Sequence, residues 1–140
     1  MVIQRIQSLF LLIAGVLMAV VCFAVPVAHM EDAEGAIATV HVYDMLPVMI
    51  LDLLTAVLLL ISIFLFKNLK FQIKVTRISI VLIILSAIVE FVALYSQVGN
   101  LEIVWIGSAI MLGSALICAF LALRAMISDQ KLLSSYDRLR

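Results

Sequence analysis

Four apolar runs, each about as long as a bilayer is thick, constrain this chain more than any other feature. They fall at roughly 6–28, 45–66, 75–96 and 103–123. A helix rising 1.5 Å per residue crosses a ~30 Å hydrocarbon core in about 20 residues. Lipid offers no hydrogen bonds to a bare backbone, so runs of this length span as helices, which pair their own N–H and C=O groups. The expected fold class is an all-α integral membrane protein, an antiparallel four-helix transmembrane bundle in one domain over 1–140. Of the 140 residues 66% are hydrophobic and 13% charged, and mean hydropathy is +1.31. That composition is too apolar for a soluble domain.

The first run follows Arg5 and so resembles a secretion signal, but it is long for one and carries no clean small-x-small cleavage site. It is read as a retained span. All nine Lys and Arg residues then fall into three groups: Arg5; Lys67, Lys70, Lys74 and Arg77; and Arg124, Lys131, Arg138 and Arg140. Four spans place all three groups on one side. The loops on the other side carry Glu31, Asp32, Glu34, Asp44 and Glu102 and no Lys or Arg. The positive-inside rule puts both termini in the cytoplasm, which predicts a multi-pass protein of the bacterial inner membrane. No basic groove with interleaved aromatics is present, which excludes nucleic acid as a partner.

The long outer loop contains "AIATVHVY", an apolar–polar alternation that predicts a short strand or hairpin over the bundle. The other, "QVGN", reads as a tight turn between antiparallel neighbours. Trp105 and Tyr95 read as interfacial anchors. Past residue 123, Leu132, Leu133, Tyr136 and Leu139 recur at helical spacing among charges. This tail is either an amphipathic cytoplasmic helix at the headgroups, or docked on the inner loop, or a solvated extension of the fourth span.

Two acids break the apolar runs: Asp52 in "LPVMILDLLTAVLLLISIF" and Glu90 in "ISIVLIILSAIVEFVALY". Each is seven residues from the outer end of its span, about 10 Å deep. An ionised carboxylate in hydrocarbon is costly, so each must be neutralised or find a partner. Candidate partners are each other, Thr55 one turn from Asp52, Ser108 in the fourth span, water, or another subunit. Gln72, Thr76, Ser79, Ser86, Glu90, Ala93 and Gln97 form one stripe of the third span and mark its inward face. The candidate intramembrane polar site is therefore Asp52, Glu90, Thr55, Ser86 and Ser108. The fourth span is rich in small residues, with Ala109-x-x-x-Gly113 and Ala115-x-x-x-Ala119 permitting close helix approach inside the bundle. Cys22 and Cys118 fall in apolar runs at opposite ends and read as packing residues.

The histidines and acids of the long loop match no metal motif, and the chain contains no GxSxG, HExxH or phosphate loop. No catalytic residue, metal or cofactor is expected.

The segments "MVIQRIQSLFLLIAGVL", "FKNLKFQIKVTRISI" and "RAMISDQKLLSSYDRLR" resemble the domain of unknown function (DUF) family 4293, small four-span inner-membrane proteins of Bacteroidota. The resemblance covers essentially the whole chain and is most specific at Gln4–Gln7 and at Asp137, Arg138, Leu139 and Arg140. It implies the four-span topology and brings no activity, cofactor or site residue. Its basic motifs are cytoplasmic, so Arg5, Lys67, Lys70, Arg138 and Arg140 form a candidate contact surface for anionic lipid headgroups or a partner.

Small size, absent catalytic motifs, a wide small-residue face and the tail favour a non-enzymatic accessory or assembly subunit of an inner-membrane complex, with a membrane-protein partner or a homo-oligomeric state. The alternative is a small proton- or cation-coupled transporter using Asp52 and Glu90.

Overall fold

The computed structural model describes residues 2–31, 37–96, 101–104 and 106–138. It contains four long helices: α1 (Val2–Ala24), α2 (Leu46–Phe64), α3 (Leu69–Ser96) and α4 (Ile106–Arg138). Each carries a segment long and apolar enough to cross a membrane: Ile6–Ala24, Leu46–Lys67, Leu69–Ser96 and Gly107–Ser135. Each helix packs on its neighbour in sequence, and α1 packs on α4 to close the ring, an up-down-up-down bundle.

With Cys22, Ala56, Ile73, Val75 and Leu94 buried to the side, the packing is set by one seam of buried positions on each helix. They are Gln7, Leu11, Ala14, Met18 and Val21 on α1, and Val48, Asp52, Thr55, Leu59 and Ser62 on α2. On α3 they are Gln72, Thr76, Ser79, Ile83, Ser86 and Glu90, and on α4 Ser108, Leu112, Ala115, Ala119, Ala122 and Met126. Every one of these series alternates steps of four and three. A repeat averaging 3.5 residues keeps one seam facing the bundle axis and gives left-handed, knobs-into-holes packing. The outward faces are Leu, Ile, Val and Phe, among them Phe64, Val81, Phe91 and Ile110.

One end of the bundle is closed by a three-stranded antiparallel sheet in the order β2-β1-β3, with β1 Pro26–Glu31, β2 Ile37–His41 and β3 Leu101–Val104. Ala28 in the central strand stands opposite Val40 on one side and Val104 on the other. Two expected span limits are corrected here. The first span does not run to residue 28: helix α1 stops at Ala24, because Pro26 has no N–H and disfavours helical geometry at Val25. Pro26 instead opens an extended strand whose Val27 and Ala28 are buried in the core. Likewise residues 103 and 104 belong to β3 and α4 begins at Ile106. The expected hairpin is present as β1–β2; the third strand comes from the far loop, where the sequence carries no alternation long enough to announce it.

At the other end α2 passes into α3 through a single 3-10 turn, Leu65–Lys67, and Asn68, whose carbonyl accepts the N–H groups of Phe71 and Gln72 at 2.9 Å. The tail continues the fourth helix without a break: α4 runs to Arg138, roughly 50 Å at 1.5 Å per residue. The "QVGN" turn, Trp105, Arg140 and the Arg5 and Arg138 side chains lie outside the described residues.

Candidate intramembrane acid site

The seam repeat brings the candidate polar residues together near the sheet end. Asp52 on α2 is fully buried and Glu90 on α3 is 4% exposed, with Ser86 one turn below Glu90 and Ser108 on α4 also buried. The Ser86 hydroxyl donates to Asp52 Oδ1, tying α2 to α3. Ser108 on α4 stands beside Glu90, and both line the same cleft between α3 and α4. The two carboxylates lie within Coulombic reach of each other, and Cys22 of α1 lies within reach of Asp52. Four elements thus converge on one polar layer.

Thr55 departs from its expected role. It is fully buried beside the site, but its hydroxyl donates to the carbonyl of Leu51 at 2.7 Å, one turn back on its own helix. A threonine on a helix readily makes this bond to the preceding turn. Ser86, across the helix interface, takes the place that Thr55 was expected to fill beside Asp52.

Ser86 satisfies one oxygen of Asp52, and each acid is left with one oxygen over. Among the described residues, Asp52 Oδ2 and Glu90 Oε2 are the buried side-chain oxygens with no hydrogen-bond partner. Buried polar groups are nearly always satisfied, so two orphaned acceptors in one layer call for a cause. The nearest base along α3, Arg77, is about 20 Å down the helix from Glu90, at the opposite end of the bundle. Among the described residues, no basic side chain is placed to answer the acids.

Glu90 also forms the floor of a groove of about 570 Å³ between α3 and α4. Its walls are apolar and include the outward-facing Ile88 and Phe91, so it opens sideways toward the surrounding lipid. Gly113 lies in this groove, and a Cβ built on it would meet no atom within 4 Å. The two small-residue motifs of α4 therefore serve different purposes. Ala115 and Ala119 are fully buried in the core, on the helix that packs most extensively against α1. Ala109 and Gly113 leave the α3–α4 groove empty of side chains.

A second polar layer near the termini was not expected as a unit. Ser62 Oγ and Thr76 Oγ1 are 3.0 Å apart across α2 and α3, and Thr76 also donates to the Gln72 carbonyl at 3.0 Å. Buried Gln7 donates from Nε2 to Asp129 Oδ2, fastening the start of α1 to the far part of α4. The available signal was phase: Gln7 and Asp129 continue the four-three seams of their helices. Lys67 and Lys70 are exposed beside this layer and border a hollow of about 420 Å³ with Gln130, Leu133 and Ser134 of α4. The tail thus sits against the inner loop, as one reading of the sequence expected. In the outer loop, the His41 ring stacks on Tyr43 with centroids 4.8 Å apart, and the His41 backbone N–H donates to Asp44 Oδ2 at 2.9 Å.

No curated protein and no solved structure matches this chain. The sequence profile of the family described as a domain of unknown function (DUF4293) matches residues 3–139, nearly the whole length, and the chain belongs to that family.

Proposed function

We propose that this non-enzymatic multi-pass protein of the bacterial inner membrane works by taking up a proton or a cation at the Asp52–Glu90 pair, the carrier role that the sequence holds as its alternative. The observation that carries this reading is the pair of orphaned oxygens, Asp52 Oδ2 and Glu90 Oε2. Acids kept only to fix helix register would spend their acceptors on the neighbouring helices. Asp52 gives one acceptor to Ser86, and one oxygen of each acid stays unspent. What remains is negative charge and lone pairs in a low-dielectric layer, a setting in which an arriving proton or cation gains most. All described Lys and Arg side chains lie toward the opposite end, which by the positive-inside rule is the cytoplasmic one.

The test is infrared difference spectroscopy against pH on the protein in lipid, with Asp52→Asn and Glu90→Gln alongside wild type. Each replacement should remove one carboxyl contribution and move the pH response of the acid that remains, as coupled sites require. Two independent responses, each indifferent to loss of the other acid, would sink the reading.

The accessory-subunit role rests on a different observation. Leu132 and Leu133 stand exposed on the α4 extension beside Lys131, an apolar edge suited to a partner near the cytoplasmic surface. Affinity purification from native membranes with a Leu132→Asp/Leu133→Asp variant tests it: a stoichiometric partner lost in the variant would favour this role over the carrier.

A further inference from the structure

We propose that the α3–α4 groove is a binding site for a lipophilic amine, taken up from the bilayer with its ammonium on Glu90. This rests on the acid-site reading and names its ligand class. Glu90 is 4% exposed, its Oε2 has no partner, and it lines the groove. Ser108 stands beside it as the second polar group. Asp52 behind Glu90 adds negative charge within Coulombic reach, so the layer calls for a positively charged donor more than a neutral one.

The walls choose the rest of the ligand. Ile88 and Phe91 are 54% and 70% exposed on the outward face of α3, so access is from the lipid. A hydrated metal ion would have to cross hydrocarbon to arrive there, whereas an alkyl amine already partitions into the bilayer with its head near the interface. A volume of about 570 Å³ falls in the usual range for small-molecule pockets. The lining on α4 extends only from Ser108 to Leu116, about 12 Å along the axis, too short a trough to seat a whole transmembrane helix. Gly113 makes room for the chain, because the space where its side chain would lie is open. Lipid tails are as apolar as these walls, so the chain gains little by leaving them, and affinity must come from the ammonium–carboxylate contact. The head group should therefore decide binding, and chain length should matter little.

Native mass spectrometry of the purified protein with added dodecylamine tests this, with dodecanol and dodecyltrimethylammonium as comparators. The amine should bind once per chain. The alcohol, without charge, and the quaternary ion, without N–H donors, should each bind about tenfold more weakly or worse. Glu90→Gln should lose the preference for the amine. Gly113→Leu fills the groove without touching Glu90 and should abolish binding while circular dichroism still reports a folded helical protein. Equal binding of the three probes, or a preference that survives Glu90→Gln, would overturn the proposal. So would a stoichiometric polypeptide co-purified from native membranes that Gly113→Leu releases, since the groove would then seat a partner. The infrared pH response of the same samples separates the two levels. Coupled acids without amine binding overturn the ligand class alone, and uncoupled acids overturn the acid site beneath it.

Discussion

Ser86 and Thr55 are both buried hydroxyls beside Asp52, yet they do different work, and the difference sets what each is worth. Ser86 donates to Asp52 across a helix interface, whereas Thr55 donates to Leu51 within its own helix. Interhelical hydrogen bonds in membranes contribute about 0.6 kcal/mol on average. Removing this one also strips the last described donor from a buried carboxylate, so Ser86→Ala should cost about 1–2 kcal/mol. Thr55→Val loses a bond that duplicates an existing backbone interaction and should cost no more than about 0.5 kcal/mol. Reversible unfolding in mixed micelles would measure both; equal losses would mean the hydroxyl assignments are wrong. At this scale the sequence revealed which residues face inward and little about which of them touch. Asp52, Glu90, Ser86 and Ser108 were legible because a polar atom in a span has few places to go. The choice between Thr55 and Ser86 depends on the rotation of α2 against α3, and one helix's sequence does not contain it.

Among the elements, α4 shows most plainly why small residues are informative in a membrane bundle. In water an inward face is recognised by being apolar, but here lipid and core are equally apolar and the contrast is lost. The inward face is marked instead by size and polarity. That is why the stripe on α3 could be read from Gln72, Thr76, Ser79, Ser86 and Glu90, all of which are buried. The four helices were legible from length alone. The third strand was not: four residues, Leu101–Val104, form it by pairing with β1, a partner far away in the chain. The two small motifs of α4 make a paired prediction. Ala119→Leu inserts bulk into a filled layer and should destabilise the bundle by about 1–3 kcal/mol. Gly113→Leu enters open space and replaces a poor helix former, so it should leave the bundle as stable or gain up to about 1 kcal/mol. The same unfolding experiment decides the matter, and comparable destabilisation by both would mean that the groove is closed in the membrane.

For the molecule as a whole, the decisive question is which way the acid layer faces. The structure is polar along its axis: a sheet at one end, the described basic residues at the other, and Asp52 only about 9 Å into α2 from Leu46 at the sheet end. The acids are therefore nearer one aqueous phase than the other, and orientation decides from which compartment a proton or an ammonium comes most directly. Charge asymmetry predicts that the sheet end is outside. Single cysteines at two exposed positions, Thr39→Cys in β2 and Ser134→Cys near the end of α4, report this in a background of Cys22→Ala and Cys118→Ala. An impermeant maleimide added to intact spheroplasts should label position 39 at once and position 134 only after the membrane is opened. With that result, ligands from the outer leaflet reach Glu90 by the short path, and the exposed Lys67 and Lys70 meet the anionic inner leaflet, where each basic residue contributes about 1 kcal/mol to surface attraction. The reverse labelling would turn the acid layer toward the cytoplasm. An amine drawn from the outer leaflet would then have to travel most of the bilayer to reach Glu90, and a role in export from the inner leaflet would follow from the same groove.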